Sequence, residues 1–290
     1  MADDLTPASL LAGFHGERPP APAWFDAALA LAPERSRVPV AGAEIELLTW
    51  GEVGKPGLLF LHGNGAHADW WSFIAPFFAQ DWRVAAISWS GMGGSDWRPA
   101  YSAPVFAAEI FAAVAAARLE VGGARPILVG HSFGGFPALH CAAEHAERLR
   151  GVVMVDTSIQ PPEKRWTGPP PRPEGGNRVY ATLEQALARF RLAPAQACDN
   201  LYIADHIARC SLKPVAGGWT WKFDPDIWRR FTMPDLGLLL PRIGCPAALM
   251  WGERSNLMPA ETLDYMVAQM PDAVLRVPIP DADHLSLIHI

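Results

Sequence analysis

Gly130-His131-Ser132-Phe133-Gly134-Gly135 joins a short apolar run at 126–129 to a segment with a helical pattern from about 134 onward. A serine with glycine two places before and two places after it, set between a strand and a helix, reads as a nucleophile elbow. The turn is so tight that those flanking positions must lack side chains, and it leaves the hydroxyl projecting. The helix that follows points unpaired amides and partial positive charge at the place where an oxyanion would form. The competing reading is a glycine-rich turn that only packs a helix onto a strand.

Working outward, short apolar runs and helical patterns take turns on both sides of the elbow. Strands are predicted over 44–50, 57–61, 82–89, 126–129 and 151–155, and helices over 70–79, 105–119 and 134–149. The 57–61 run is continuously apolar, as in a strand buried on both faces. Strands separated by helical crossovers give an α/β fold with a mostly parallel central sheet flanked by helices. The rhythm stops at Thr157. Between 159 and 178 stand six prolines (Pro161, Pro162, Pro169, Pro170, Pro171, Pro173), through which neither helix nor strand can run. Helical segments at 183–192 and 200–212 and the aromatics Trp219, Trp221, Phe223 and Trp228 follow. A strand at 247–251, a helix at 259–270 and a last strand at 273–277 then restore the alternation. The chain therefore divides into an N-terminal extension (1–36, with a short helix at 23–31), a first core part (37–158), a helical cap insertion (159–240) and a second core part (241–290).

Half of the 290 residues are hydrophobic, which supports a large core and excludes a disordered or fibrous chain. The net charge is −6 and the longest basic clusters are pairs such as Arg229-Arg230, so no electrostatic grip on nucleic acid is expected. Met1-Ala2-Asp3-Asp4 puts acid where a secretory leader needs Lys or Arg, and no apolar run reaches the 18 or so residues that span a bilayer. The expectation is a soluble, cytoplasmic protein without a membrane partner. Cys141, Cys198, Cys210 and Cys245 are widely spaced, with no C-x-x-C pair, and read as reduced structural thiols. No metal or organic cofactor is indicated, and the oligomeric state is not specified.

With its elbow in this order of elements, the chain resembles the α/β-hydrolase superfamily over about residues 37–284. The resemblance implies the α/β-hydrolase fold and assigns roles residue by residue. Ser132 is the nucleophile. Leu61-His62-Gly63-Asn64-Gly65-Ala66 looks like the oxyanion loop, with the amides of Asn64 and Phe133 as donors to the negative charge that acyl transfer builds. Whether the Asn64 side chain adds a donor or only holds the turn stays open, and His62 is expected to orient the loop. Of nine histidines, only His284 has the place in the loop after the last strand where the family keeps its base; His289 has no matching context.

The acid departs from the pattern. The family commonly carries it in a G-x-x-D after the strand at 247–251, where this chain has Gly252-Glu253-Arg254-Ser255-Asn256. Some members carry it after the strand that follows the elbow strand, and here that strand ends in Asp156. Neighbouring strands lie side by side, so Asp156 could reach the imidazole from the loop end of the sheet. Asp156 is the first choice; Glu253 or a Ser132–His284 dyad remain open. Relatives usually finish with a further helix, whereas only six residues follow His284. Ser286-Leu287-Ile288-His289-Ile290 resembles translated sequencing-adapter read-through, and a truncated reading frame is the expectation there.

Trp70 and Trp71 behind the oxyanion loop, His131 beside the serine, and Trp219 and Trp221 in the insertion are the candidate substrate contacts. An aromatic lining favours an apolar group. The expected activity is hydrolysis of a small hydrophobic carboxylic ester through an acyl-enzyme. The same site would serve a C–C bond or lactone hydrolase, and the missing G-x-x-D acid keeps a non-catalytic ligand-binding protein in view. A dehalogenase or epoxide hydrolase would place aspartate at the elbow, against Ser132.

Overall fold

The computed structural model describes residues 9–120, 122–165, 176–232 and 234–285. Trp166, the prolines from Pro169 to Pro173 and the 286–290 ending lie outside the described residues.

In chain order the helices are α1 (Ala23–Ala30), α2 (Ala103–Ala116), α3 (Gly135–Glu144), α4 (Leu183–Leu187), α5 (Leu201–Cys210), α6 (Ile227–Arg230) and α7 (Ala260–Gln269). The strands are β1 (Glu34–Val40), β2 (Ala43–Trp50), β3 (Gly57–Leu61), β4 (Arg83–Ile87), β5 (Tyr101–Ser102), β6 (Ile127–His131), β7 (Gly151–Val155), β8 (Leu212–Val215), β9 (Gly218–Trp221), β10 (Phe231–Thr232), β11 (Ala247–Gly252) and β12 (Leu275–Ile279). Eight strands form one sheet in the order β1-β2-β4-β3-β6-β7-β11-β12. Only β2 runs against the rest. This is the α/β-hydrolase fold, with the mostly parallel sheet that the alternation predicts.

The period of two along a strand splits the interior. In β3, Leu59 and Leu61 join the cluster that holds Phe106 and Ile110 of α2 and Leu139 of α3. Leu58 and Phe60 face the other way, with Trp71 and Ala75. A third cluster belongs to the segment between β7 and β11: Phe190, Ile203, Ala204 and Ile207 pack with Leu11 and Phe25, which precede the sheet. The chain ahead of β1 is thus a structural partner of that segment.

Three elements differ from expectation for physical reasons. β1 has no apolar pattern because it is an edge strand, exposed at Glu34, Arg35, Ser36 and Arg37, and such edges are kept charged. The 70–79 helix is instead two 3₁₀ turns, Ala68–Trp71 and Ala75–Phe77, since Pro76 cannot donate to the helical ladder. β8 and β9 form a hairpin where only a helix and loose aromatics are expected. The turn at Ala216-Gly217 makes it possible, with Gly217 at φ 84°.

Candidate active site

The elbow is dictated by contact distances. A Cβ on Gly130 would lie 2.5 Å from the Gly134 carbonyl oxygen, and one on Gly134 would lie 2.3 Å from that of Leu61. Ser132 between them sits at φ 52°, in the left-handed region that costs a non-glycine residue of order 1–2 kcal/mol. The hydroxyl of Thr157, on the chain leaving β7, donates to the Ser132 carbonyl at 3.2 Å. The strained turn is therefore clamped from β3 and β7, its two neighbours in the sheet.

Asp156 follows β7 and is also left-handed, at φ 49°. It is fully buried, and both carboxylate oxygens are occupied. Oδ1 accepts from His284 Nδ1–H at 2.7 Å and from the Ser255 hydroxyl at 2.6 Å; Oδ2 accepts from the Gly252 amide at 2.8 Å. Ser255 holds the fourth place of the Gly252-Glu253-Arg254-Ser255 stretch, where the resemblance leads one to look for the acid. Because β7 and β11 pair, with Val155 opposite Met250, the two places lie together, and Ser255 bonds the carboxylate that holds the imidazole. Glu253 is exposed, and its amide donates to Ile279.

His284 is buried and uses Nδ1 on Asp156, which leaves Nε2 as its acceptor. Its carbonyl accepts from His131 Nε2–H at 3.0 Å. Burial, and then the nearby His284, push the His131 pKa down to about 4, so His131 is a neutral donor that holds the loop. His62 is bound at both nitrogens: Nδ1–H donates to the Gly63 carbonyl at 2.7 Å and Nε2 accepts the Trp89 amide at 3.0 Å. Burial lowers its pKa to about 3, which fits an orienting residue and leaves no proton to carry. His67 donates to the Ser211 hydroxyl at 2.9 Å, tying the same loop to the end of α5.

Ser132, His284, Asn64 and His131 all line one cavity of about 510 Å³. Trp70 and Trp221 line it as well. Phe133 does not; its ring is packed edge-on against Phe106 and Trp228 at 5.6 and 5.5 Å, so only its backbone belongs to the elbow. Trp71 and Trp219 are also absent from the wall. Trp71 stacks on Phe60 at 4.5 Å, on the other side of the turn that carries Trp70, and Trp219 packs in the cluster around Ile203 and Leu212. Consecutive residues on a 3₁₀ turn diverge by about a third of a revolution, so a Trp-Trp pair cannot share one wall. The sequence reading missed Ser255, Arg189 and Arg191. Ser255 carries a signal only once β7 and β11 are known to be neighbours; the arginines sit in a loop without a motif.

Asp69, His206 and Cys210 bring one metal-ligating atom each within 4.8 Å of one another. Their donors are already engaged. The Arg35 guanidinium grips both Asp69 oxygens, at 2.5 and 3.2 Å, and His206 Nε2 meets the Ser72 hydroxyl at 2.8 Å. The cluster is a satisfied ion pair that fastens β1 to the loop behind Trp70.

Residues 58–290 match the model of a family described as Alpha/beta hydrolase family. The chain is similar to the pimeloyl-[acyl-carrier protein] methyl ester esterase of Chromobacterium violaceum, 29% identical over 80% of this chain and 89% of that protein. A serine hydrolase-like protein of Danio rerio is 31% identical over 65% of this chain and 61% of its own length. Among solved structures, the thioesterase domain from the curacin biosynthetic pathway shares the fold, with a TM-score of 0.73, 23% identity and coverage of 89% of this chain and 96% of that one.

Proposed function

The chain belongs to the alpha/beta hydrolase family, and we propose that it is a serine hydrolase that cleaves a small hydrophobic carboxylic ester through an acyl-enzyme intermediate. The observation that carries this reading is the buried His284–Asp156 pair, at 2.7 Å, whose His284 lines a cavity that Ser132 also lines. His284 Nε2 takes the proton as Ser132 Oγ attacks the ester carbonyl. Asp156 fixes the Nδ1–H tautomer and stabilises the imidazolium. The amides of Phe133 and Asn64 receive the oxyanion. His284 then protonates the departing alcohol, and a water deprotonated by the same imidazole releases the acid. The 159–240 segment acts as a cap whose Trp221 meets the apolar part of the substrate. The methyl ester esterase and the serine hydrolase-like relative agree with this chemistry. No helix among the described residues is long and apolar enough to cross a membrane, in keeping with a soluble enzyme.

The test is turnover of p-nitrophenyl esters of increasing chain length, together with labelling by a fluorophosphonate. Ser132→Ala should abolish labelling and lower kcat by at least roughly 10⁴-fold with the fold intact. Undiminished turnover in that variant would remove serine catalysis. Neither label nor turnover in the unmodified protein would leave a ligand-binding member of the family.

A further inference from the structure

The cavity over Ser132 is mostly apolar, yet two arginines that the ester chemistry does not use stand in its wall. Arg189 and Arg191 line it from the loop after α4. Arg191 Nη1 donates to the carbonyls of Ala188 and Phe190, at 3.3 and 2.8 Å, while its Nε is buried and has no acceptor among the described residues. Among the described residues, neither arginine has a carboxylate within ion-pair distance. The acid in the lining, Asp224, is spent elsewhere. Its Oδ2 accepts from the Tyr101 hydroxyl at 2.8 Å and from Arg230 at 2.9 Å, and its Oδ1 accepts from the Asp226 amide at 2.9 Å.

The loop is held in place over the site. Phe190 and Leu192, on either side of Arg191, are buried in the cluster shared with α5. Gln196 Oε1 accepts the amide of Leu285, the residue after His284, at 2.9 Å. A cation on an anchored loop, lining a mostly apolar cavity with no carboxylate of its own among the described residues, favours a ligand that brings the negative charge.

We infer that Arg191 binds a carboxylate on the substrate, which makes the preferred ester a monoester of a short dicarboxylic acid; this rests on the esterase reading above. With Nη1 turned to its own loop and Nε closed off, Nη2 is the guanidinium nitrogen left to donate to the carboxylate, in a charge-assisted hydrogen bond. The methylene spacer lies against Phe190, Leu192 and Trp221, and the ester carbonyl reaches Ser132. The more exposed Arg189 adds positive potential at the mouth. The overall reaction is monoester plus water giving dicarboxylate, alcohol and one proton.

Binding to the Ser132→Ala protein, measured by calorimetry, tests this without turnover, using monomethyl adipate and its uncharged counterpart dimethyl adipate. The monoester should bind tenfold or more tightly than the diester, the scale of a charge-assisted pair. Adding Arg191→Gln should erase that ratio, and Arg191→Lys should keep part of it. Equal affinities, no measurable binding of the monoester, or a ratio that survives Arg191→Gln would each overturn the proposal. Turnover of the two esters by the unmodified protein separates the readings: if it cleaves neither, the esterase reading falls, while the binding ratio still decides the role of Arg191.

Discussion

Ser132, Asp156 and His284 stand on the chain as it leaves the sheet, whereas Phe190, Arg191 and Trp221 stand on a segment whose hydrophobic cluster is shared with α1. On the sheet side, backbone crowds backbone, since a Cβ on Gly134 would lie 2.3 Å from the Leu61 carbonyl oxygen, and both Asp156 oxygens are bonded. On the other side, side chains make the contacts and, among the described residues, a guanidinium Nε lacks an acceptor. The sheet side has one arrangement available to it, which suits chemistry that tolerates little displacement. The other side can exchange side chains without moving a strand, which suits selection among substrates.

The sharpest way to break this contrast is at the acid. Asp156→Asn should lower kcat by roughly 10³-fold with KM little changed, because the wrong imidazole tautomer is favoured and the imidazolium loses its counter-charge. Glu253→Gln should cost less than about threefold in the same assay, since that side chain is exposed. The reverse ranking would move the acid to the end of β11.

A smaller effect should come from the other side. Phe25 meets Tyr202 at 4.9 Å and Phe73 at 5.5 Å, and Phe25→Ala should destabilise the protein by roughly 3–5 kcal/mol in denaturant unfolding. kcat on a short ester should stay within about threefold, as the strand ends are untouched. A collapse of kcat at full folding would show that the two sides are not separable.

The smallest effect should fall between them. Ser255→Ala removes a 2.6 Å hydrogen bond to Asp156 Oδ1 and should lower kcat by about tenfold, the worth of one hydrogen bond to a charged group. No loss at all would mean that Gly252 and His284 suffice to hold the carboxylate.

How much was legible follows the range of each constraint. The elbow announces itself because its demand for glycine is local, within two residues of Ser132. His284 is readable from its place after the last strand, which needs only chain order. The edge strand β1 escaped because an exposed strand carries no apolar period, and the β8–β9 hairpin because strands of four residues are too short to show one. Trp71 and Trp219 were drawn toward the pocket by residue type, which says nothing of the direction in which a side chain leaves a turn.

The amino-acid sequence by itself determined the alternation of strand and helix, the serine turn and the candidate base, all of which rest on hydrophobic period and on backbone sterics over a few residues. The tertiary structure alone decided that Ser255 and the His284 imidazole meet at the Asp156 carboxylate and that Arg191 lines the pocket without a carboxylate partner among the described residues. The physical reason is distance along the chain: Asp156 and Ser255 are 99 residues apart and Asp156 and His284 are 128 apart. Only the pairing of β7 with β11, and the packing of α4 and α5 over the strand ends, bring such groups within hydrogen-bond reach.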